Sequence, residues 1–146
     1  MESTIQLPPI PASILGISNI IVENAEITKN NEFIITVRST EKEILCQKCG
    51  NVTSPHGHSP AINLRHLAIF GKKTYIQITP ARGRCDNCKG SPTTTQTSSW
   101  YNKSNRQTKV YEEYLGMVQS RVTHLNHAKR FILLIPITLN NLTQIV

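Results

Sequence analysis

Residues that alternate between apolar and polar predict β-structure in the first third of the chain. Phe33, Ile35 and Val37 recur at every second position, which is the period of a strand with one buried face. β-Branched apolar residues are also frequent over residues 17–27, and a polar turn at 29–31 separates the two stretches. We therefore predict an antiparallel hairpin over residues 17–45, preceded by an extended, proline-rich segment over residues 1–16.

A second hairpin is predicted between residues 62 and 79. Its second strand, residues 74–79, is rich in β-formers, and Gly71 lies where the chain must turn. Serine, threonine and proline dominate the stretch after residue 90, which predicts a polar linker over residues 91–103.

Helical periodicity begins after this linker. Ser104 and Gln107 match a capping box, which predicts that a helix starts at Ser104. Apolar residues then recur at steps of three or four, the spacing of one helical face. They are Val110, Tyr114, Val118, Val122 and Leu125. We predict a helix over residues 104–129 whose apolar face packs in the core, and an unmatched tail over residues 130–146.

The four cysteines form two pairs of identical spacing. Cys46 and Cys49 make one C-x-x-C pair, and Cys85 and Cys88 make the other. Each pair lets two sulfurs reach one ion from a tight turn, and four thiolates match the ligand set of a tetrahedral zinc site. Because the chain contains no further cysteine, we predict that these four residues hold one structural Zn²⁺.

Other uses of the cysteines stay open at this point. An iron site of the rubredoxin type takes the same ligands. Two disulfides would require export, and the N-terminus lacks the basic start and apolar core of a secretory signal. A redox C-x-x-C motif needs only one pair. His56 and His58 lie near the first pair, but four sulfurs already fill a tetrahedral site, so we interpret them as polar loop residues.

The chain has a formal net charge of +7, and its charged residues are distributed unevenly along the sequence. The residues before Cys46 include three basic and six acidic side chains, whereas the rest of the chain has thirteen basic and three acidic ones. A basic surface of this kind favours a phosphate-rich partner. The candidate contacts to DNA are Arg65, Lys72, Lys73, Arg82, Arg84, Lys89, Lys103, Arg106 and Lys109.

The joint pattern from Cys46 to Tyr114 resembles the N-terminal region of insertion-sequence transposases of the ISL-three type. The matching stretches are the two cysteine pairs with their flanks, residues 56–60, residues 64–71 and residues 106–115. In that family a zinc ribbon precedes a helix-turn-helix, both are taken to recognise the terminal repeats of the element, and a DDE-type catalytic domain follows. The resemblance implies a zinc ribbon over residues 46–90 and a partial helix-turn-helix region over residues 104–129.

The sequence departs from this family where catalysis would begin. Two-metal phosphoryl transfer needs several converging carboxylates, and after Cys46 the chain offers only Asp86, Glu112 and Glu113. The likeness also fades after Val118. We therefore expect a truncated transposase that is not an enzyme, and we interpret residues 130–146 as an unselected sequence.

These predictions combine into an α+β protein with an N-terminal hairpin, a small β-rich zinc ribbon, a C-terminal helix and a poorly determined tail. The expected partner is double-stranded DNA at transposon ends, together with further copies of the chain or the full-length transposase. No membrane partner is expected, since no apolar run is long enough to cross a bilayer. The expected location is the cytoplasm, on the nucleoid. The alternative is a zinc-ribbon adaptor that binds an acidic protein.

Overall fold

The structure, a computed structural model, describes residues 5–134. Within that range, strands form one sheet of seven and one of three, and a single α-helix follows, so the protein is α+β as predicted. The elements are β1 (Ile5–Gln6), a 3-10 helix (Ala12–Leu15), β2 (Ile20–Ile27), β3 (Phe33–Ser39), β4 (Ser54–His58), β5 (Ile62–Ile69), β6 (Lys72–Ile78), β7 (Ala81–Arg84), β8 (Thr93–Thr95), β9 (Tyr101–Asn102), β10 (Gln107–Thr108) and α1 (Lys109–Leu134).

The larger sheet has the strand order β1-β2-β3-β6-β5-β10-β9. Both predicted hairpins are present in it, since β2 pairs antiparallel with β3 and β5 pairs antiparallel with β6. The two hairpins join through β3 and β6, which run parallel with Phe33 opposite Thr74 and Val37 opposite Ile78. A parallel contact between strands far apart in sequence therefore holds the centre of this sheet.

The core lies on one face of the larger sheet. The predicted alternation on β3 is confirmed, because Phe33, Ile35 and Val37 are all buried. Ile76 and Ile78 on β6 and Leu64 on β5 continue the same face across the sheet. The cover of this face includes Leu15, Ile17 and Trp100. The core is therefore built from both hairpins and from two segments that were not predicted to be ordered.

The structure differs from the predicted ribbon over residues 46–90. The hairpin β5–β6 lies in the larger sheet, while the sheet that adjoins the cysteines is the small one, with the strand order β4-β7-β8. The prediction was wrong because the second hairpin pairs with β3 across a long sequence separation, and no local pattern reports that pairing.

The predicted linker over residues 91–103 is also wrong. It contributes β8 to the small sheet and β9 to the larger one, and it buries Thr94, Gln96 and Trp100. The proline-rich N-terminal segment was predicted to be merely extended, yet from Ile5 it forms β1 and the 3-10 helix, in which Leu15 is buried. Composition misled the prediction because polar residues here form strands whose backbone hydrogen bonds are satisfied within sheets.

The N-cap of the helix lies four residues later than the capping box predicted. Residues 103–106 form a turn, and Gln107 lies in β10. The cap of α1 is Thr108, whose Oγ1 accepts a hydrogen bond from the Tyr111 backbone N–H at 3.3 Å. Pairing of β10 with β5 and β9 removes Ser104 from the helix, so tertiary contacts override the local signal.

Most of the predicted apolar face of α1 is exposed, and of its five residues Val110 alone is half-buried. Tyr114, Val118, Val122 and Leu125 are exposed, as is Met117. The chain divides into two compact units after Glu112, so most of this helix belongs to the second unit. Of the tail predicted over residues 130–146, the first five residues continue α1 and the rest lies outside the described residues. Among residues 5–134 no helix combines the length and the apolar character that a membrane crossing requires.

Candidate metal centre

Pairing of two short strands brings the cysteine pairs together. β4 follows the first pair and β7 leads into the second, and the two strands run antiparallel with Ser54 opposite Arg84. The start of β4 therefore lies beside the end of β7. Because Cys49 precedes Ser54 by five residues and Cys85 follows Arg84 directly, both turns face the same point.

Backbone hydrogen bonds shape each cysteine turn. In the first, the Cys46 N–H donates to the Asn51 carbonyl at 2.8 Å and the Gly50 N–H donates to the Cys46 carbonyl at 2.9 Å. Gly50 has a φ of 73°, a conformation that L side chains rarely adopt. In the second, the Cys85 N–H donates to the Pro92 carbonyl at 2.9 Å. Backbone hydrogen bonds thus close both turns, and a glycine follows each cysteine pair.

The four sulfurs have the spacing of a tetrahedral site. All four Sγ atoms lie within 4.8 Å of one another, with 3.9 Å between Cys46 and Cys88 and 3.5 Å between Cys49 and Cys85. Four sulfurs at 2.3 Å from a central ion would be about 3.8 Å apart. Disulfide sulfurs would be bonded at about 2.05 Å, and all four cysteines are free. The predicted residues can therefore hold one metal ion.

The electrostatics of the site favour ionised sulfur on Cys46. The backbone N–H groups of Cys49 and Lys48 lower the pKa of the Cys46 thiol to about 6. Hydrogen bonding to Cys49 and Cys85 raises the pKa of the Cys88 thiol to about 12. The Cys46 and Cys88 thiols thus hold their protons unequally, and a divalent cation would displace the protons of bound thiols.

Two features missed by sequence reasoning support the site. Gly83 on β7 lies against Thr53, so a Cβ added there would approach the Thr53 Cβ to 2.7 Å and the Ile44 Cβ to 3.4 Å. The Thr53 hydroxyl in turn donates to the Ile44 carbonyl at 2.7 Å. Asp86, within the second cysteine turn, accepts a short hydrogen bond from the Ser54 hydroxyl. In the sequence, the one sign of the close approach between Gly83 and Thr53 was a glycine between two arginines directly before Cys85.

The two histidines lie outside the metal cluster. His56 and His58 are exposed, and among the described residues the cluster that could hold an ion contains the four cysteines alone. They were predicted to lie in a loop, but they belong to β4, whose register shifts between Pro55 and His58. Gly57, with a φ of 79°, allows this irregularity, which local composition did not indicate.

The predicted DNA contacts do not form one cluster. Lys72 and Lys73 lie where β6 starts, at the opposite end of that strand from the cysteines, and β6 itself is about 20 Å long. Three of the nine side chains are half-buried and six are exposed. The half-buried ones are Arg65, Lys72 and Arg82, and the exposed ones are Lys73, Arg84, Lys89, Lys103, Arg106 and Lys109.

Arg65 is held between two aromatic rings. Its guanidinium carbon lies 5.4 Å from the ring centre of Tyr75 and 5.4 Å from that of Tyr111. Arg82 is likewise anchored, since it donates to the Thr93 hydroxyl at 2.8 Å. Because cation–π contact and burial occupy these side chains inside the fold, they are less available to a partner than exposed cations are.

Comparisons of the chain with models of protein families, with curated proteins and with solved structures find no match. The transposase family therefore stays a prediction based on the residues quoted above.

Proposed function

We propose that this chain is the zinc-stabilised DNA-binding head of an ISL-three-type transposase, without the catalytic domain of that family. The observation that carries the proposal is the four-sulfur cluster, whose members lie within 4.8 Å of one another. Exposed Arg84 and Lys89 lie directly before and after the second cysteine pair. The structural element and the candidate phosphate contacts are thus part of the same turn.

The proposed ion is Zn²⁺ with a structural role. Four thiolates complete a tetrahedral shell and leave no position for a reacting water. The bound ion supplies folding free energy, since the sulfurs converge only in the folded chain. The residues that would hold it are Cys46 and Cys85, which are buried, and Cys49 and Cys88, which lie nearer the surface.

Contacts to DNA would come first from exposed cations. Lysine and arginine side chains that neutralise phosphates release counterions, so binding weakens steeply as salt rises. Such contacts position a protein on the duplex without reading its sequence. Arg84, Lys89 and Arg106 are exposed and suit this role.

We propose no catalytic step for this chain. Strand transfer by two metal ions requires carboxylates that converge on both ions. Among the described residues, the thiol cluster is the one group of three or more His, Cys, Asp or Glu side chains close enough to share an ion. The chain would bind ends of an element and compete there with a complete enzyme.

Metal analysis and a salt titration test the proposal. We expect one zinc per purified chain, and an affinity for duplex DNA that falls log-linearly as the salt concentration rises. Arg84→Ala and Lys89→Ala should each lower the slope of that plot by about one. Lys42→Ala, which removes an exposed lysine from the acidic part of the chain, is the matched control and should leave the slope unchanged. A salt-independent affinity contradicts DNA binding.

A second function, that of an adaptor which docks on another protein, is favoured by one observation. Met117, Val118 and Val122 on α1 are exposed apolar residues, and such clusters often mark protein contacts. A stoichiometric protein partner that stays bound after nuclease treatment, with no measurable affinity for duplex DNA, would favour this adaptor over the transposase head.

A further inference from the structure

The turn between β5 and β6 carries an aromatic side chain in an unusual backbone conformation. Phe70 and Gly71 are the only residues between Ile69 and Lys72, and their φ angles are 50° and 71°. Two-residue hairpin turns with positive φ at both positions favour asparagine, aspartate or glycine at the first of them. Phenylalanine in that position is strained, because its Cβ crowds the backbone.

The Phe70 ring gains nothing from packing in this chain. Its side chain is 90% exposed, more than any other large exposed apolar residue in the described part of the protein. A single exposed apolar side chain needs no explanation by itself. Here, however, an exposed ring coincides with a backbone strain that asparagine or glycine would relieve. This coincidence points to a contact outside the chain.

The turn is held rigidly beneath the ring. The Thr74 hydroxyl accepts a hydrogen bond from the Ile69 N–H at 3.1 Å and donates one to the Lys72 carbonyl at 3.1 Å. The Lys72 ammonium donates to the Asn31 side chain in the neighbouring β2–β3 turn. Because both turns are hydrogen-bonded to the sheet, the backbone that carries the ring would lose little conformational entropy on binding a partner.

Lysine residues lie at the same end of the sheet as the ring. Lys72 and Lys73 follow it directly, and the parallel pairing of Phe33 with Thr74 brings the β2–β3 turn, which contains Lys29, to the same end of the sheet. The same turn also contains an acidic residue, Glu32. Lysine side chains beside an apolar ring suit duplex DNA, in which phosphates flank the stacked base pairs.

We propose that the Phe70 turn is a wedge that inserts between neighbouring base pairs of duplex DNA, while Lys72 and Lys73 contact the flanking phosphates. Proteins that insert apolar side chains between base steps unstack and kink the duplex. This inference rests on the proposed DNA-binding function and adds a contact about one strand length away from the metal centre.

Phe70→Asn is the decisive variant. Asparagine tolerates positive φ, so the variant should fold at least as stably as the natural chain while it lacks the ring. We expect its affinity for a short mixed-sequence duplex to fall by about tenfold, the scale of one lost aromatic–base contact. The salt slope should not change, because the phosphate contacts remain. Phe70→Trp should retain the affinity.

Fluorescence of 2-aminopurine, placed at successive positions of the duplex, reports unstacking directly. The natural chain should raise the fluorescence at a base step, and Phe70→Asn should abolish that rise. If the natural chain binds DNA and Phe70→Asn binds equally well, the wedge is overturned while the proposed function stands. If the natural chain binds no duplex, both fail. Binding to anionic vesicles that is lost in Phe70→Asn, without binding to DNA, assigns the turn to membranes and overturns the wedge.

Discussion

The two sheets are stabilised in different ways. The larger sheet buries the side chains of Ile35, Leu64 and Ile76 completely, and a continuous apolar cluster covers one of its faces. The small sheet has no comparable cluster among the described residues. Every residue of β4 is exposed, and the groups buried around the small sheet include Thr53, Thr94 and two of the cysteines.

This difference indicates where the metal matters. Burial of apolar side chains stabilises the larger sheet by about 1.5–3 kcal/mol for each large residue. The small sheet instead adjoins two turns whose four sulfurs could share one metal ion. We therefore expect metal loss to unfold one sheet and leave the other folded, and the following measurements test that contrast.

The largest effect is expected from Cys85→Ser. It removes a fully buried candidate ligand and so weakens a site whose apparent binding free energy, for structural zinc, is about 10–16 kcal/mol. Hydrogen exchange should show loss of protection over β4 and β7 and retention over β3 and β6. Lys89→Ala, one residue beyond the second pair, is the control and should keep the zinc. Equal loss of protection in both sheets would show that they fold as one unit.

Ile35→Ala should weaken the other sheet. Ile35 is completely buried at the centre of the apolar cluster, and a truncation of this kind costs about 2–5 kcal/mol. Urea denaturation measures the change, and metal analysis of the folded variant should still find one zinc. Ile21→Ala, at a position of β2 that is 43% exposed, should cost less, about 1 kcal/mol. Loss of zinc from folded Ile35→Ala would contradict the independence of the two sheets.

Gly83→Ala should act on the small sheet without touching a ligand. The new Cβ would overlap Thr53, and overpacking of this kind costs about 1–3 kcal/mol. The expected result is faster hydrogen exchange over β4 and weaker retention of zinc against a chelator. Because Thr53 is the obstacle, Thr53→Gly combined with Gly83→Ala should recover part of the loss. If the double variant recovers no stability, the cost of Gly83→Ala does not come from contact with Thr53.

The smallest expected effect is a pH dependence from His66. Burial lowers the pKa of His66 below 6.5, and its Nδ1 lies 2.9 Å from the Thr108 hydroxyl. Unfolded chains bind a proton more readily than the folded protein, so the stability is complete above pH 6.5 and is lost as the pH falls through the lower folded value. The slope cannot exceed about 1.4 kcal/mol per pH unit.

Urea denaturation above and below pH 6.5 measures the His66 effect. His66→Gln keeps a hydrogen-bonding side chain and should flatten the dependence relative to the natural chain. Acid-driven metal release affects both proteins, so the difference between them isolates His66. His58→Gln, at an exposed position of β4, should follow the natural chain.

Local patterns predicted the parts of the fold that are local. Alternation located β3, and the turn signal at 29–31 correctly separated β2 from β3. The same kind of signal located β5 and β6 around Gly71. The capping box failed at Ser104 because Gln107 is committed to a strand that pairs with β5. Polar composition failed over residues 91–103 because strand pairing does not require apolar side chains.

The candidate ligands of the site were predictable from the sequence, but the residues that position them were not. Two pairs of cysteines with identical spacing are recognisable in the sequence, since each pair lies within one local turn. The contact of Gly83 with Thr53 links positions thirty residues apart, and the placement of Arg65 between Tyr75 and Tyr111 joins three separate elements. Such contacts have no signature in a short window of sequence.

The sequence by itself determined the hairpins, the four candidate ligands and the uneven charge, because each arises from neighbouring residues or from simple counts. Only the tertiary structure decided that the second hairpin leaves the cysteines and joins β3. It also decided that β4 and β7 bring the two cysteine pairs together. Both outcomes depend on strand pairings between distant residues, whose free energy comes from the assembled sheet and not from any single strand.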